Sequence, residues 1–252
     1  MKMKIGLICR GRTRSTAIIQ SLSAKLNVSN YREIYRTIPE IMKKDYKLIR
    51  QQSIDLELSR FKTLVLETTE KCFSQDSFIT KIWPSMFTYH LYYKMSTNET
   101  FDIIKNNTIF DITEYFRLNQ YDKLYFIDRE LYTSASSWVY AHKHNLYHFS
   151  KKGIINPHKP TITLNERDFN VVRFYVLEYC LQQKLKKYLL DNNIVFEDIT
   201  DNSLELIDDS IAKNRRNDND YKSLIRNYDE LHSFITNWYP VCLENTKDWH
   251  YI

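Results

Sequence analysis

The sequence predicts an α/β fold with a mainly parallel sheet flanked by helices. Two stretches, residues 4–21 and 123–144, each begin with an apolar run, pass through charged or hydroxylic residues and continue as a helical pattern. Repeated strand-loop-helix units of this kind build parallel sheets with crossover helices. Strand-like and helical segments also alternate along most of the remaining chain, which favours the same fold class.

The composition favours one large domain over residues 1–252, with a helical C-terminal extension from about residue 201. Aromatic residues make up 14% of the 252 residues, whereas the chain has only 3 Gly and 5 Pro. Such a chain can bury a large core and has few flexible joints, so extensive disorder is not expected.

The charge and the cysteine pattern limit the kinds of partner and the cellular compartment that we expect for this protein. The net charge of +5, from 36 basic and 31 acidic residues, suits an anionic ligand but lacks the concentration typical of nucleic-acid binding. The four cysteines form no CxxC pair and indicate reduced thiols. No apolar stretch reaches membrane-spanning length. We therefore predict a cytoplasmic protein with no membrane span and no nucleic-acid partner; the sequence does not predict its oligomeric state.

The first third of the chain contains one clear strand and two helices. The strand covers residues 5–9, and its helix ends near Asn27. Residues 28–35 form a brief strand or an extended loop, and residues 39–60 are helical, with proline at the first turn. Residues 63–67 fit either a strand or the end of a helix, and the pattern does not decide between them.

The rest of the chain continues the alternation. Residues 77–83 are apolar and β-branched and stop at a proline, which predicts a strand. Helices are predicted over 86–95 and 112–118, a strand over 123–128, a helix over 130–144 and a loop over 153–163. A helix over 166–190 that ends at Asn193 follows, then a short strand that begins at 194–196 and runs into Glu197–Asp198, and a helical tail from Asp201.

The loop after the first strand carries the clearest functional signal. Residues 10–16 hold three arginines, Arg10, Arg12 and Arg14, together with three hydroxyl side chains. A loop between a buried strand and a helix presents free backbone N–H groups and the positive end of the helix dipole, which attract anions. Guanidinium groups add charge-assisted donors that suit phosphate or sulfate. We therefore predict an anion site, rather than a solvated basic turn.

Several motifs occur in an order that resembles one enzyme family. They are the loop RTRST after the first strand, Lys81 and Pro84 at the end of a middle strand, Arg129 followed eight residues later by Ser137, and the segment VFED at 195–198. This order resembles the sulfotransferases that use 3′-phosphoadenosine 5′-phosphosulfate. The resemblance covers roughly residues 4–200 and implies a three-layer sandwich similar to that of P-loop NTPases.

The resemblance assigns donor-binding roles to two groups of residues. Its first loop implies that Arg12, Thr13, Arg14, Ser15 and Thr16 hold the 5′-phosphosulfate, with Arg14 in the place of the family's glycine. The strand-helix segment KLYFIDRELYTSASSW implies that Arg129 and Ser137 clasp the 3′-phosphate. The products would be adenosine 3′,5′-bisphosphate and a sulfated small-molecule or carbohydrate acceptor, formed without a metal.

The catalytic residues implied by the resemblance are Arg12 and Lys81, with a separate base. Trp83 occupies the place of the family's histidine base, so the base must come from elsewhere. Glu33 stands where carbohydrate and bacterial members have a catalytic glutamate, although it fits equally well as a solvated partner of a neighbouring arginine. His90 is the reserve candidate.

Two other functions stay open at this point. The spacing GLICRGRT imitates the nucleotide-binding pattern G-x-x-x-x-G-K-[ST] and permits a P-loop kinase or NTPase, which would need magnesium and a ligand such as Asp128. A nucleotide-binding module without turnover is the other alternative. The histidines at 142, 144 and 148 lack the carboxylate or cysteine of a metal site, so no metal is predicted there.

Overall fold

The computed structural model of the chain is a three-layer α/β sandwich around a five-stranded parallel sheet. It describes residues 2–11, 15–32, 38, 54–83, 116–144, 160–200, 207 and 221–248. The strands are β1 (Lys4–Ile8), β2 (Ser29–Arg32), β3 (Phe78–Ile82), β4 (Lys123–Phe126) and β5 (Glu197–Asp198). Their order across the sheet is β2-β3-β1-β4-β5, and every pairing is parallel. The predicted fold class is thereby confirmed.

Helices cover both faces of this sheet. The helices of the described residues are α1 (Ser15–Leu26), α2 (Ile54–Phe73), α3 (Leu131–Lys143), α4 (Glu166–Asp191), α5 (Tyr221–Leu224) and α6 (Tyr228–Asn245), and a 3₁₀ turn spans Leu118–Gln120. In this part of the chain no helix is both long enough and apolar enough to cross a membrane.

Alternation along the strands assigns each side chain to one of the two layers. Ile5, Leu7 and Cys9 pack into a core layer with α1, whereas Ile8 belongs to the larger layer that contains residues of α2, α3, α4 and α6. Successive strand residues point to opposite faces, so this is the expected two-residue period. Arg10 continues the alternation and lies on the same side as Ile8, where α4 packs.

Helix α4 is the longest described helix and the centre of the larger layer. Asn165 caps its N-terminus in a capping box. The Asn165 side chain accepts a hydrogen bond from the Asp168 N–H, and the Asp168 carboxylate accepts one from the Asn165 N–H. Lys143 of α3 pairs with the buried Asp168 at 2.6 Å. The helix ends where Asn193 adopts a positive φ of 55°, a conformation that asparagine tolerates well. Helix α6 packs along α4 and buries Leu231, Ile235 and Cys242.

Among the described residues, the predicted elements occur close to their predicted positions, except for two segments. The predicted helix over 86–95 lies outside the described residues, as do most of the helices predicted over 39–60 and 112–118 and most of the loop predicted over 153–163. Residues 63–67 lie in the middle of α2 instead of in a strand or at a helix end, because their apolar positions form one helical stripe with Phe61, Leu64 and Val65 buried. Residues 194–196 are not paired; the pairing with β4 occurs at Glu197–Asp198. Val195 is 89% exposed, so this segment does not have the buried side chains of a central strand.

The four cysteines are thiols that lie in the core. All four are buried and none forms a disulfide, as predicted for reduced thiols. A hydrogen bond with Cys180, together with burial, raises the pKa of Cys242, and burial raises the pKa of Cys72 to about 12. The thiols of Cys242 and Cys72 therefore stay protonated at neutral pH.

Candidate functional site

The candidate site lies at the carboxyl edge of the sheet, where β1, β3 and β4 end side by side. The Cys9 N–H donates to the Ile82 carbonyl and the Ile127 N–H donates to the Ile8 carbonyl, each at 3.0 Å, so the three strand ends are held in register. From β1 the chain leads to β2 on one side of the sheet, and from β4 to β5 on the other. Ligands of open parallel sheets bind at such a switch point.

Lys81 brings a positive charge to this edge. Its side chain points to the layer of α1, is only 3% exposed, and donates from Nζ to the Thr16 Oγ1 at 2.7 Å. Thr16 lies in the first turn of α1, and that turn contains no acidic residue. A helix N-terminus already carries partial positive charge. Two positive features therefore converge behind the loop after β1, where an anion would be stabilised.

Arg10 has a different role from the one that the sequence predicts. Its side chain is completely buried, and its guanidinium donates to side chains of α3 and α4 and to the turn after β4. The acceptors are Gln182 Oε1, Ser134 Oγ at 3.3 Å, Tyr175 Oη at 2.8 Å, Asp128 Oδ1 and the Arg129 carbonyl at 2.7 Å. These five bonds match the five donors of a guanidinium. Arg10 is therefore committed to the protein interior and does not join the predicted anion donors.

The charge of Arg10 is preserved in this buried setting. Burial alone would lower the pKa of Arg10, but Tyr175 and the Asp128 carboxylate raise it above the usual value for arginine. The guanidinium carbon also lies 4.6 Å from the ring centre of Tyr179 and 5.2 Å from that of Tyr175. Burial raises the pKa of Tyr179 to about 12, so this ring remains a neutral phenol.

Both carboxylate oxygens of Asp128 accept hydrogen bonds from protein donors. Its Oδ1 accepts from Arg10 and from the Arg129 N–H, and its Oδ2 accepts from Gln183 Nε2. A magnesium ion bound here would have to compete with an adjacent guanidinium for the same carboxylate. Asp128 is the residue that would have to bind magnesium if the protein were a kinase. Here it joins Arg10, the turn after β4 and helix α4. Among the described residues, no group of three acidic, histidine or cysteine side chains is arranged to hold a metal.

Arg129 and Ser137 lie at the start and in the middle of the same strand-helix unit. Arg129 is partly exposed in the turn between β4 and α3. Ser137 is buried on α3, and its hydroxyl accepts from Tyr221 Oη at 2.9 Å. A phosphate that reaches Ser137 would have to displace Tyr221, whereas Arg129 lies at the partly exposed edge.

The remaining predicted residues divide into two groups. Ser15 and Thr16 lie in the first turn of α1, beside Lys81. The other predicted residues, Arg12, Thr13, Arg14, Glu33 and His90, lie outside the described residues, and their roles stay predictions.

Helix α4 supplies the residues that the sequence analysis missed. Its polar side chains Tyr175, Tyr179, Gln182 and Gln183 all contact Arg10 or Asp128. Their spacing of four, three and one residues places them on one helical stripe. Polar side chains that interrupt an apolar helix at this spacing are the signal that points to a buried polar partner.

Comparisons of the chain with protein-family models, with curated proteins and with solved structures found no match.

Gly11, in the loop after β1, should not accommodate a side chain without a shift of its neighbours. A Cβ at Gly11 would lie 2.3 Å from Cζ3 of Trp138, so we expect Gly11→Ala to lower the free energy of unfolding by about 1–3 kcal/mol. Gly6→Ala is the comparison, because its Cβ would also be crowded but less severely, at 2.8 Å from Leu124 Cδ1 and 3.2 Å from Ile82 Cδ1 and Tyr121 Cδ1. Urea denaturation of both variants measures the difference; equal losses would contradict the assigned packing of Trp138 on the loop.

Proposed function

We propose that the protein transfers a sulfuryl group from 3′-phosphoadenosine 5′-phosphosulfate to a hydroxyl or amine of a small-molecule or carbohydrate acceptor. The observation that carries the proposal is the contact between Lys81 Nζ and Thr16 Oγ1 at the carboxyl edge of the sheet. This contact joins a buried ammonium to the N-terminal turn of α1. It supports an anion in the position where the loop resembles a phosphosulfate-binding loop.

The residues at this edge fit the donor's charge. When bound, the donor would supply an activated sulfuryl group, whose negative charge is spread over its oxygens. Lys81 would stabilise that charge as it develops, since its ammonium is held in place and largely removed from water. Ser15 and Thr16 would add hydroxyl and N–H donors from the first turn of α1. Arg12, Thr13 and Arg14 complete the loop in this proposal.

Asp128 favours a reaction that proceeds without a metal. Its two carboxylate oxygens are hydrogen-bonded to Arg10, the Arg129 N–H and Gln183, which leaves it poorly suited to magnesium. A fixed ammonium can supply the electrostatic stabilisation that magnesium supplies in kinases. The acceptor's proton would go to Glu33, with His90 in reserve.

Calorimetry with adenosine 3′,5′-bisphosphate tests the proposal. We expect a dissociation constant of about micromolar or tighter in the presence of EDTA. In this proposal the protein's own cations stabilise the phosphates, so binding needs no magnesium. ATP with magnesium is the matched comparison and should bind more weakly. ATP binding that depends on magnesium, with no bisphosphate binding in EDTA, would contradict the proposal and favour a kinase. Bisphosphate binding without sulfate transfer across a broad acceptor panel would indicate a binding module.

A further inference from the structure

Arg10 connects the two chain segments that border the proposed donor site. On one side, its Nη2 donates to Asp128 and to the Arg129 carbonyl, in the turn after β4. On the other side, its Nη1 donates to Tyr175 Oη, which in turn donates to the Gly11 carbonyl at 2.8 Å. A single buried side chain thus reaches the loop after β1 through one phenol and the turn after β4 directly.

The hydrogen bonds around Arg10 hold backbone groups of the turn and of the loop, as well as side chains. Asp128 Oδ1 accepts from both Arg10 and the Arg129 N–H, so the orientation of the turn depends on the guanidinium. Burial raises the pKa of Tyr175, which keeps its hydroxyl protonated and able to donate to Gly11. Trp138 packs against Gly11 from the same side. The loop and the turn are therefore held at one separation.

Helix α4 keeps Arg10 in this position. Gln182 accepts from Arg10 Nε and donates from Nε2 to the Ile127 carbonyl at 2.8 Å. Tyr179 packs on the guanidinium from the same stripe of the helix. Since all five donors of Arg10 are used within the protein, it has none left for a ligand. Its effect on a ligand must be exerted through the segments that it joins.

We infer that Arg10 is a positioning residue that sets the distance between two anion subsites, one in the loop after β1 and one at Arg129. The inference rests on the proposed function, because it takes those two segments as the places where the donor's phosphates bind. A ligand with a single phosphate uses one subsite and gains nothing from the fixed distance.

The test compares one-phosphate and two-phosphate ligands in a variant that breaks the connection. Tyr175→Phe removes the hydroxyl between Arg10 and Gly11 but keeps the ring. We expect its affinity for adenosine 3′,5′-bisphosphate to fall about three- to tenfold, while its affinity for adenosine 5′-monophosphate stays the same. Loss of stability alone would not change the ratio of the two affinities in the folded protein.

Tyr179→Phe is the matched control, since Tyr179 packs on Arg10 from the same stripe and forms no hydrogen bond with the described residues of the loop. Its affinity ratio should equal that of the wild type. Arg10→Lys is the second variant: it keeps the charge but lacks the fork of donors, so it should lower the ratio as Tyr175→Phe does. An unchanged ratio in the folded variants would overturn the inference. Failure of the wild type to bind the bisphosphate would instead overturn the proposed function.

Discussion

Replacing Lys81 with methionine should lower the turnover number for sulfate transfer by about 10²–10³-fold, the usual effect of removing one preorganised donor to a developing charge. Lys81 is buried at the end of β3 and its ammonium contacts Thr16, so water cannot take its place without a rearrangement. Methionine keeps most of the side-chain volume but removes a buried charged group from its partners, so some loss of stability is expected as well. The loss of turnover is therefore measured on the folded fraction of the variant.

Lys123→Met is the matched control for this experiment. Lys123 lies on β4 of the same sheet, but it is exposed and stands at the amino end, away from the candidate site. Steady-state kinetics of the two variants, with circular dichroism as the folding check, separate a local charge effect from a general one. Full turnover in Lys81→Met would remove Lys81 from the mechanism.

Replacing Arg10 with methionine should destabilise the protein by about 3–5 kcal/mol, which is the range for breaking a buried ion pair by removing one partner. The substitution would leave Asp128 without its guanidinium partner. It would also leave the side-chain amide oxygen of Gln182 without the hydrogen bond from Arg10. Unpaired buried polar groups retain their full desolvation cost.

Chemical denaturation with two further variants checks this expectation. Arg167→Met is the surface control, because Arg167 is exposed in the first turn of α4, and it should change stability by less than about 0.5 kcal/mol. Asp128→Asn combined with Arg10→Met should cost less than the sum of the single changes, since the two residues contact each other. Additive losses, or a loss near that of Arg167→Met, would show that the buried pair does not hold the strand ends together.

The fold was largely predictable because its signals are local. The apolar runs of β1, β3 and β4 and the helices after β1 and β4 lie within short windows of sequence, where hydrophobic periodicity is informative. Residues 63–67 were ambiguous because a run of four apolar or β-branched residues followed by a glutamate fits either period. The pairing at Glu197–Asp198 depends on the neighbouring strand and not on the residues' own hydrophobicity, so the prediction started this strand three residues too early.

The candidate site was predictable only in part. Parallel strands end at the same edge, so the closeness of Lys81 to the first turn of α1 follows from the fold. The burial of Arg10 does not, since arginine is rarely fully buried and its partner Gln182 is 172 residues away in sequence. The sequence analysis counted Arg10 with Arg12 and Arg14 as donors to one anion. The alternation of β1 instead directs the Arg10 side chain towards α4.

A crystal structure with adenosine 3′,5′-bisphosphate bound tests the central claim most directly. The measured quantity is the distance from Lys81 Nζ to the nearest oxygen of the 5′-phosphate. We expect about 3 Å, with the phosphate at the first turn of α1 and the 3′-phosphate on the side of Arg129. A nucleotide bound away from the carboxyl ends of β1, β3 and β4, or held there by magnesium on Asp128, would contradict the proposed sulfotransferase.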